Sequence, residues 1–96
     1  MRNMVTKILK VLKCGEMFSV KSEKAEGGSL NKRHLLLQEL GGQYEDRYLV
    51  SLLGDMAQQA YSEGDILATS LRFMCREYNG QFFQDITATE IAPWRK

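Results

Sequence analysis

Cationic and flat side chains share one stretch of this chain at spacings that could hold a polyanion carrying unpaired bases. Arg72 and Arg76 lie on one side of an alternating run, opposite Leu71 and Phe73, and Tyr78, Phe82 and Phe83 follow. Lys32 and Arg33 enter a second apolar run, Arg47 opens a third, and Tyr44 sits in the turn between those two. Binding single strands without sequence preference needs both ingredients. Cations follow the phosphates, and rings stack on the bases at ~1–3 kcal/mol per base. Each residue also has a plainer use: the arginines as solvated face residues, Tyr78 packing across its own hairpin. Phe82 and Phe83 point to opposite faces of any strand, so one could be core and the other a subunit contact.

Catalytic chemistry finds much less support. His34 is the only histidine, so a histidine-rich metal site is impossible, and the two cysteines, Cys14 and Cys75, have no metal-ligand spacing. Ser29 and Thr87 lack the glycine-flanked context of a nucleophile elbow. Gly27-Gly28-Ser29 is not followed by the Gly-Lys-Ser/Thr of a phosphate loop. Asp55, Asp65 and Asp85 fall near element boundaries, where caps and turns account for them. The chain reads as a binding protein with no catalytic residues, no metal and no cofactor; its two cysteines could form one disulfide, though free cysteines are the commoner reading for a cytoplasmic protein.

The elements that must position these residues follow from periodicity. Residues 66–76 alternate, with Leu67, Thr69, Leu71, Phe73 and Cys75 on one side, which marks a half-buried strand. Tyr78-Asn79-Gly80-Gln81 then supplies a type I′ turn into a β-rich run over 82–91, which Pro93 closes. Further strands are expected over 33–39 and 47–53, joined by a turn at Gly41-Gly42. A short helix should open at Gly54-Asp55, with Asp55 and Gln58 forming a capping box, and end at Gly64. Residues 21–32 are polar and glycine-containing, a loop. The first segment suits helix or strand equally on spacing alone, with Val5, Leu9 and Val11 as a strand face interrupted by Lys7.

The downstream order, strand, strand, helix, strand, strand, weights that segment toward a long first strand. The result is an all-β, five-stranded OB-fold: a Greek-key barrel with one short helix between strands three and four, filling residues 1–96 as a single domain. OB-folds commonly take oligonucleotides on strands two and three. In this order the sequence resembles the short bacterial OB-fold proteins related to single-stranded-DNA-binding protein, frequent in Bacteroidetes and often known only as a domain of unknown function. The resemblance runs over residues 4–91. It is carried by Arg76-Glu77-Tyr78-Asn79-Gly80-Gln81-Phe82-Phe83, with Lys32-Arg33, Gln43-Tyr44, Gly54-Asp55 and Gly64-Asp65 in matching order. Leu30 and Thr89 stand where family members often have tryptophans, and Glu45 where they have a proline. The resemblance implies single-stranded DNA, with RNA as the alternative, as ligand of Lys32, Arg33, Tyr44, Arg47, Arg72, Arg76, Tyr78, Phe82 and Phe83. An OB-fold that has lost DNA binding and serves as an interaction module is the rival.

Composition is compatible with this. The 96 residues are 44% hydrophobic and 26% charged, ordinary for a globular fold. Net charge is only +1, but residues 1–33 carry +5 and the rest −4, which permits a basic face. A domain this small buries only ~60–70% of its unfolded surface, so a homodimer or higher oligomer is expected. No apolar run approaches the ~18–20 residues of a membrane span. The basic, apolar start lacks a continuous hydrophobic stretch because Lys7, Lys10 and Lys13 interrupt it. A cytoplasmic protein is expected, with lipoprotein processing at Cys14 the remote alternative.

Overall fold

Alternating apolar and polar side chains drive this chain into strands that close on themselves. The computed structural model describes residues 4–22 and 26–94. It contains β1 (Met4–Cys14), β2 (Phe18–Lys21), β3 (Ser29–Glu39), β4 (Arg47–Leu53), β5 (Ile66–Tyr78) and β6 (Gln81–Pro93), with 3-10 turns at Glu26–Gly28 and Gly54–Gln58. The strands lie in the order β1-β5-β6-β4-β3-β2, and a further β1–β3 pairing closes the barrel. All neighbours are antiparallel except β4 and β6, which meet in parallel at Ser51 and Thr87.

This is the OB-fold, with its first strand broken in two. Cys14 stands opposite Leu35, and Phe18 stands opposite Lys32, so β1 and β2 both run along β3 with Gly15, Glu16 and Met17 as the crease. A side chain at position 15 would bring its Cβ within 3.1 Å of the His34 carbonyl oxygen, which is why glycine suits the bend. The segment that suits helix or strand equally on spacing is therefore strand. The expected loop over 21–32 is shorter than its composition suggests, because Lys21 and Ser29 already pair. The expected helix shrinks to the turn Gly54–Gln58, whose N-cap, Leu53, makes no side-chain capping bond, so the capping box does not form. Gly64 consequently ends nothing helical.

Leu9, Val11, Leu35, Leu37, Val50, Leu52, Leu67 and Leu71 fill the barrel, with Ala57 and Ala88 beside them. Each large aliphatic buried this way contributes ~1.5–3 kcal/mol over its exposed state. The inward stripe of β3 runs Arg33, Leu35, Leu37, Glu39, apolar in the middle and charged at both ends. At one end Arg33 donates from Nε to the Ala57 carbonyl and from Nη1 to that of Gly15, both at 2.8 Å. This ties the 3-10 turn to the crease. At the other end Glu39 accepts from the Tyr48 hydroxyl at 2.6 Å and from Lys7 Nζ at 3.3 Å.

That second cluster is mutually stabilised. The Lys7 ammonium also lies 5.8 Å from the centre of the Tyr48 ring, which forms a T-shaped pair with Phe73. The Tyr48 hydroxyl, then Lys7, hold the Glu39 carboxyl below its ordinary value. The bond to Glu39 raises Lys7, and the same carboxylate raises Tyr48. Lys7 therefore does more than keep a strand soluble.

β5 and β6 continue past the barrel as a two-stranded arm. Asn79 (φ 52°) and Gly80 (φ 78°) form the turn at its tip, as the Asn-Gly pair predicts. Leu67, Thr69 and Leu71 are buried, yet residues 74–84 are exposed on both faces. Phe82 and Phe83 are 71% and 38% exposed, so neither is core, which removes the reading in which one of them packs inside the barrel. Cys14 and Cys75 are free, one half-buried and the other exposed. Among the described residues no helix is long and apolar enough to cross a membrane.

Candidate nucleic-acid interface

A single parallel pair joins β4 to β6, and on one side of it the two strands splay. The gap is a cleft of about 230 Å³ lined by Lys32, His34, Arg47, Leu49, Ser51, Gln84 and Asp85, reaching down to Tyr48 and Ile86. Its floor is the outer surface of β3 and β4, since Leu35, Leu37, Val50 and Leu52 point inward and their neighbours must point out. Across that surface Lys32 faces Leu53, His34 faces Ser51 and Leu36 faces Leu49, while Gln38, opposite Arg47, is buried and donates to the Gln43 and Glu45 carbonyls of the turn before β4.

The two lining cations stand at opposite ends of the floor. Six residues of β3 separate the rows of Lys32 and Arg47, a distance of about 20 Å along the strand. Between them the surface is apolar and aromatic. Leu49 is 60% exposed, and the His34 ring lies 5.5 Å from that of Phe18 on β2. The exposed arm of β5 and β6 rises at the β6 side, carrying Tyr78, 65% exposed, near its tip.

The structure sorts the nine residues singled out from sequence into separate places. Lys32 and Arg47 line the cleft. Tyr78, Phe82 and Phe83 are exposed on the arm. Arg72 and Arg76 do share the outer face of β5, as the alternation predicts, but neither lines the cleft. Arg76 donates to Asp85 across the hairpin, and its guanidinium lies 5.4 Å from the centre of the Phe83 ring. Tyr44 projects from the turn before β4 at 90% exposure and is not among the lining residues.

Arg33 is a correction. Its inward guanidinium spans two backbone carbonyls at the barrel end, so it is a structural brace, not a phosphate contact. The neighbouring Lys32 takes the outer face because consecutive strand residues alternate. Asp85 is a second correction: it lies inside β6, paired with Arg76, rather than at an element boundary. Asp55 caps nothing through its side chain, whereas Asp65 does serve a turn by accepting the Ser62 amide.

Sequence reasoning missed Phe18, His34, Leu49 and Ser51 as surface partners. His34 and Leu49 were legible in principle, since each alternates with buried leucine or valine in its own strand. Phe18 was not, because the crease at Gly15 conceals β2.

A five-position Greek-key barrel with its opening over the second and third strand positions defines an OB-fold protein. The chain is similar to the second OB-fold domain of replication protein A from Methanococcus maripaludis, with a TM-score of 0.70 at 18% identity, over 95% of this chain and 83% of that one. No protein-family model and no curated protein matches the chain. The similarity thus upholds the OB-fold part of the resemblance read from sequence, and does not reach the narrower bacterial family.

Proposed function

We propose that this protein binds single-stranded nucleic acid, DNA in the first instance and RNA as the alternative, across the outer face of β3 and β4. The observation that carries the reading is the cleft itself. Lys32 and Arg47 flank an apolar, ring-bearing floor in the place where OB-folds take oligonucleotides, with the β5–β6 hairpin alongside. A floor of about 20 Å suits a footprint of about four nucleotides, the short end of the OB-fold range. Phe18, His34, Tyr78 and Phe82 are the flat groups offered to bases, and the two cations are offered to phosphates. On this reading the protein is a non-catalytic, cytoplasmic binder.

The test is a fluorescence-anisotropy titration with a 5′-labelled oligo-dT of about 30 nucleotides at several salt concentrations. Two phosphate contacts on a single strand give a slope of about −1.4 in log K against log salt. Lys32→Ala with Arg47→Ala should flatten that slope and weaken binding. Absence of binding at the lowest salt would sink the proposal.

A second reading, an interaction or self-association module, is favoured by the exposure of Leu49, Leu53, Phe82 and Phe83. It predicts a mass above the monomer in light scattering that falls when Leu49 and Phe82 are changed to Ser, with the double Lys32/Arg47 variant unaffected. A nucleic-acid binder that is also a homodimer would show both responses.

A further inference from the structure

A second cavity lies toward the other end of β6 and shares no residue with the cleft. Its volume is about 280 Å³, and its lining includes Gln59, Tyr61, Asp65, Ile66, Pro93 and Trp94. Ile86 in the cleft and Pro93 here are roughly 20 Å apart along the strand. At ~30 Å³ for each water, the space equals about nine waters, which suits one long side chain.

The walls are pinned by the fold itself. The Gly64 amide donates to the Val11 carbonyl and the Val11 amide to the Asp65 carbonyl, both at 2.8 Å, which fastens this turn to β1. Asp65 Oδ2 accepts the Ser62 amide at 2.9 Å, and the Trp94 amide donates to the Ile66 carbonyl at 2.9 Å. Tyr61 packs against the barrel core, and burial pushes its hydroxyl above its ordinary value, so the ring is neutral.

The chemistry of the lining selects a sign. Two aromatic rings and a proline accompany one carboxylate, and no lining residue is basic. From Tyr48 to Leu71 the chain carries Asp55, Glu63 and Asp65 and no lysine or arginine. Lys10 stands opposite Ile66 on β1 but does not line the cavity. A phosphate here would meet only like charge. A cation gains twice, because ring faces attract it, tryptophan most strongly, and the carboxylate neutralises it. A guanidinium suits such a place better than an ammonium: it is flat, weakly hydrated and able to stack while it bonds a carboxylate. Arginine and aromatic residues are also the types that protein interfaces concentrate.

We propose that this cavity receives an arginine side chain presented by a partner protein, with Tyr61 and Trp94 as its stacking surfaces and Asp65 as its counter-ion. The site is independent of the single-strand reading and would survive its failure.

Trp94 is the chain's only tryptophan, so its fluorescence reports on the cavity directly. The probe is the peptide acetyl-Gly-Arg-Gly-amide, titrated at pH 7 through the millimolar range expected of a single side chain. Emission should change saturably. The citrulline peptide replaces the guanidinium with a neutral urea of the same shape and should bind roughly tenfold more weakly, the scale of a charge-assisted hydrogen bond. The lysine peptide should fall between the two. Asp65→Asn keeps an oxygen for the Ser62 amide while removing the charge, and should also weaken arginine binding roughly tenfold. Tyr61→Leu should weaken it about three- to fivefold, the scale of one cation–ring contact. The citrulline comparison needs no variant, so the folding of Tyr61→Leu does not decide the outcome. No saturable response to the arginine peptide, or equal binding of arginine and citrulline, would overturn the proposal. Lysine binding as tightly as arginine would overturn the choice of a guanidinium, and an undiminished response in Asp65→Asn would overturn the counter-ion.

Discussion

The two halves of β5 obey the same alternation and meet different fates. Leu67 and Leu71 are buried in the barrel core and Thr69 beside them bonds to Lys7 of β1, whereas Cys75 and Glu77, next on the same side, are exposed because the barrel has ended. Across the hairpin β6 repeats the lesson, with Ala88 buried and Phe82 open. A strand's pattern states which residues share a side. What covers that side is decided by how far the neighbouring strands extend. The barrel half is where stability is made, and the arm half is where aromatic surface is left exposed.

The largest effect should come from attacking the barrel half. Leu71→Ala empties a fully buried site and should cost ~2–5 kcal/mol in a denaturant titration, a large share of the total for a domain of this size. Next, the double change Tyr78→Ala and Phe82→Ala should reduce oligonucleotide affinity by ~1–3 kcal/mol for each stacked base lost. Its unfolding midpoint should move by no more than ~0.5 kcal/mol. Should that arm variant lose as much stability as Leu71→Ala, the division between the halves would collapse. Gly80→Ala forces a side chain into the left-handed region at the tip and should cost ~1 kcal/mol, read by the same titration.

The smallest expected effect is a pH dependence confined to the barrel's charged end. Glu39 binds its proton less tightly folded than unfolded, so its contribution is present above its ordinary value of 4.5 and is lost as pH falls through the lower folded value. Lys7 and Tyr48 are raised, so theirs are present at neutral pH and are lost as pH rises beyond 10. Thermal unfolding followed by circular dichroism should be flat near neutrality and fall at both extremes. Glu39→Gln should remove the acid limb, with no change in the oligonucleotide titration proposed above.

Much of the fold was legible because alternation is local. Leu71 and Phe73 against Arg72 fixed one strand, and Asn79-Gly80 fixed its return. The strand β2 was hidden because Gly15, Glu16 and Met17 break the period, and only pairing with β3 restores it. The helix was overdrawn because Asp55 and Gln58 matched a cap whose hydrogen bond the tight turn does not make. In the site, Lys32 and Arg33 looked equivalent as a basic pair, and only the facing of β3 separates surface charge from internal brace. Asp85 was missed as a cleft residue because its partner, Arg76, lies nine positions away across a hairpin.

The crease in the first strand makes curvature and the shape of the cleft inseparable. The Gly15 amide donates to the His34 carbonyl at 2.9 Å, while the Gly15 carbonyl receives the Arg33 guanidinium. Two consecutive residues of β3 thus grip one glycine from both sides, and the outward imidazole of one of them forms part of the cleft. Any enlargement at position 15 would press on the backbone of the residue whose ring lines the cleft on the other side of the strand.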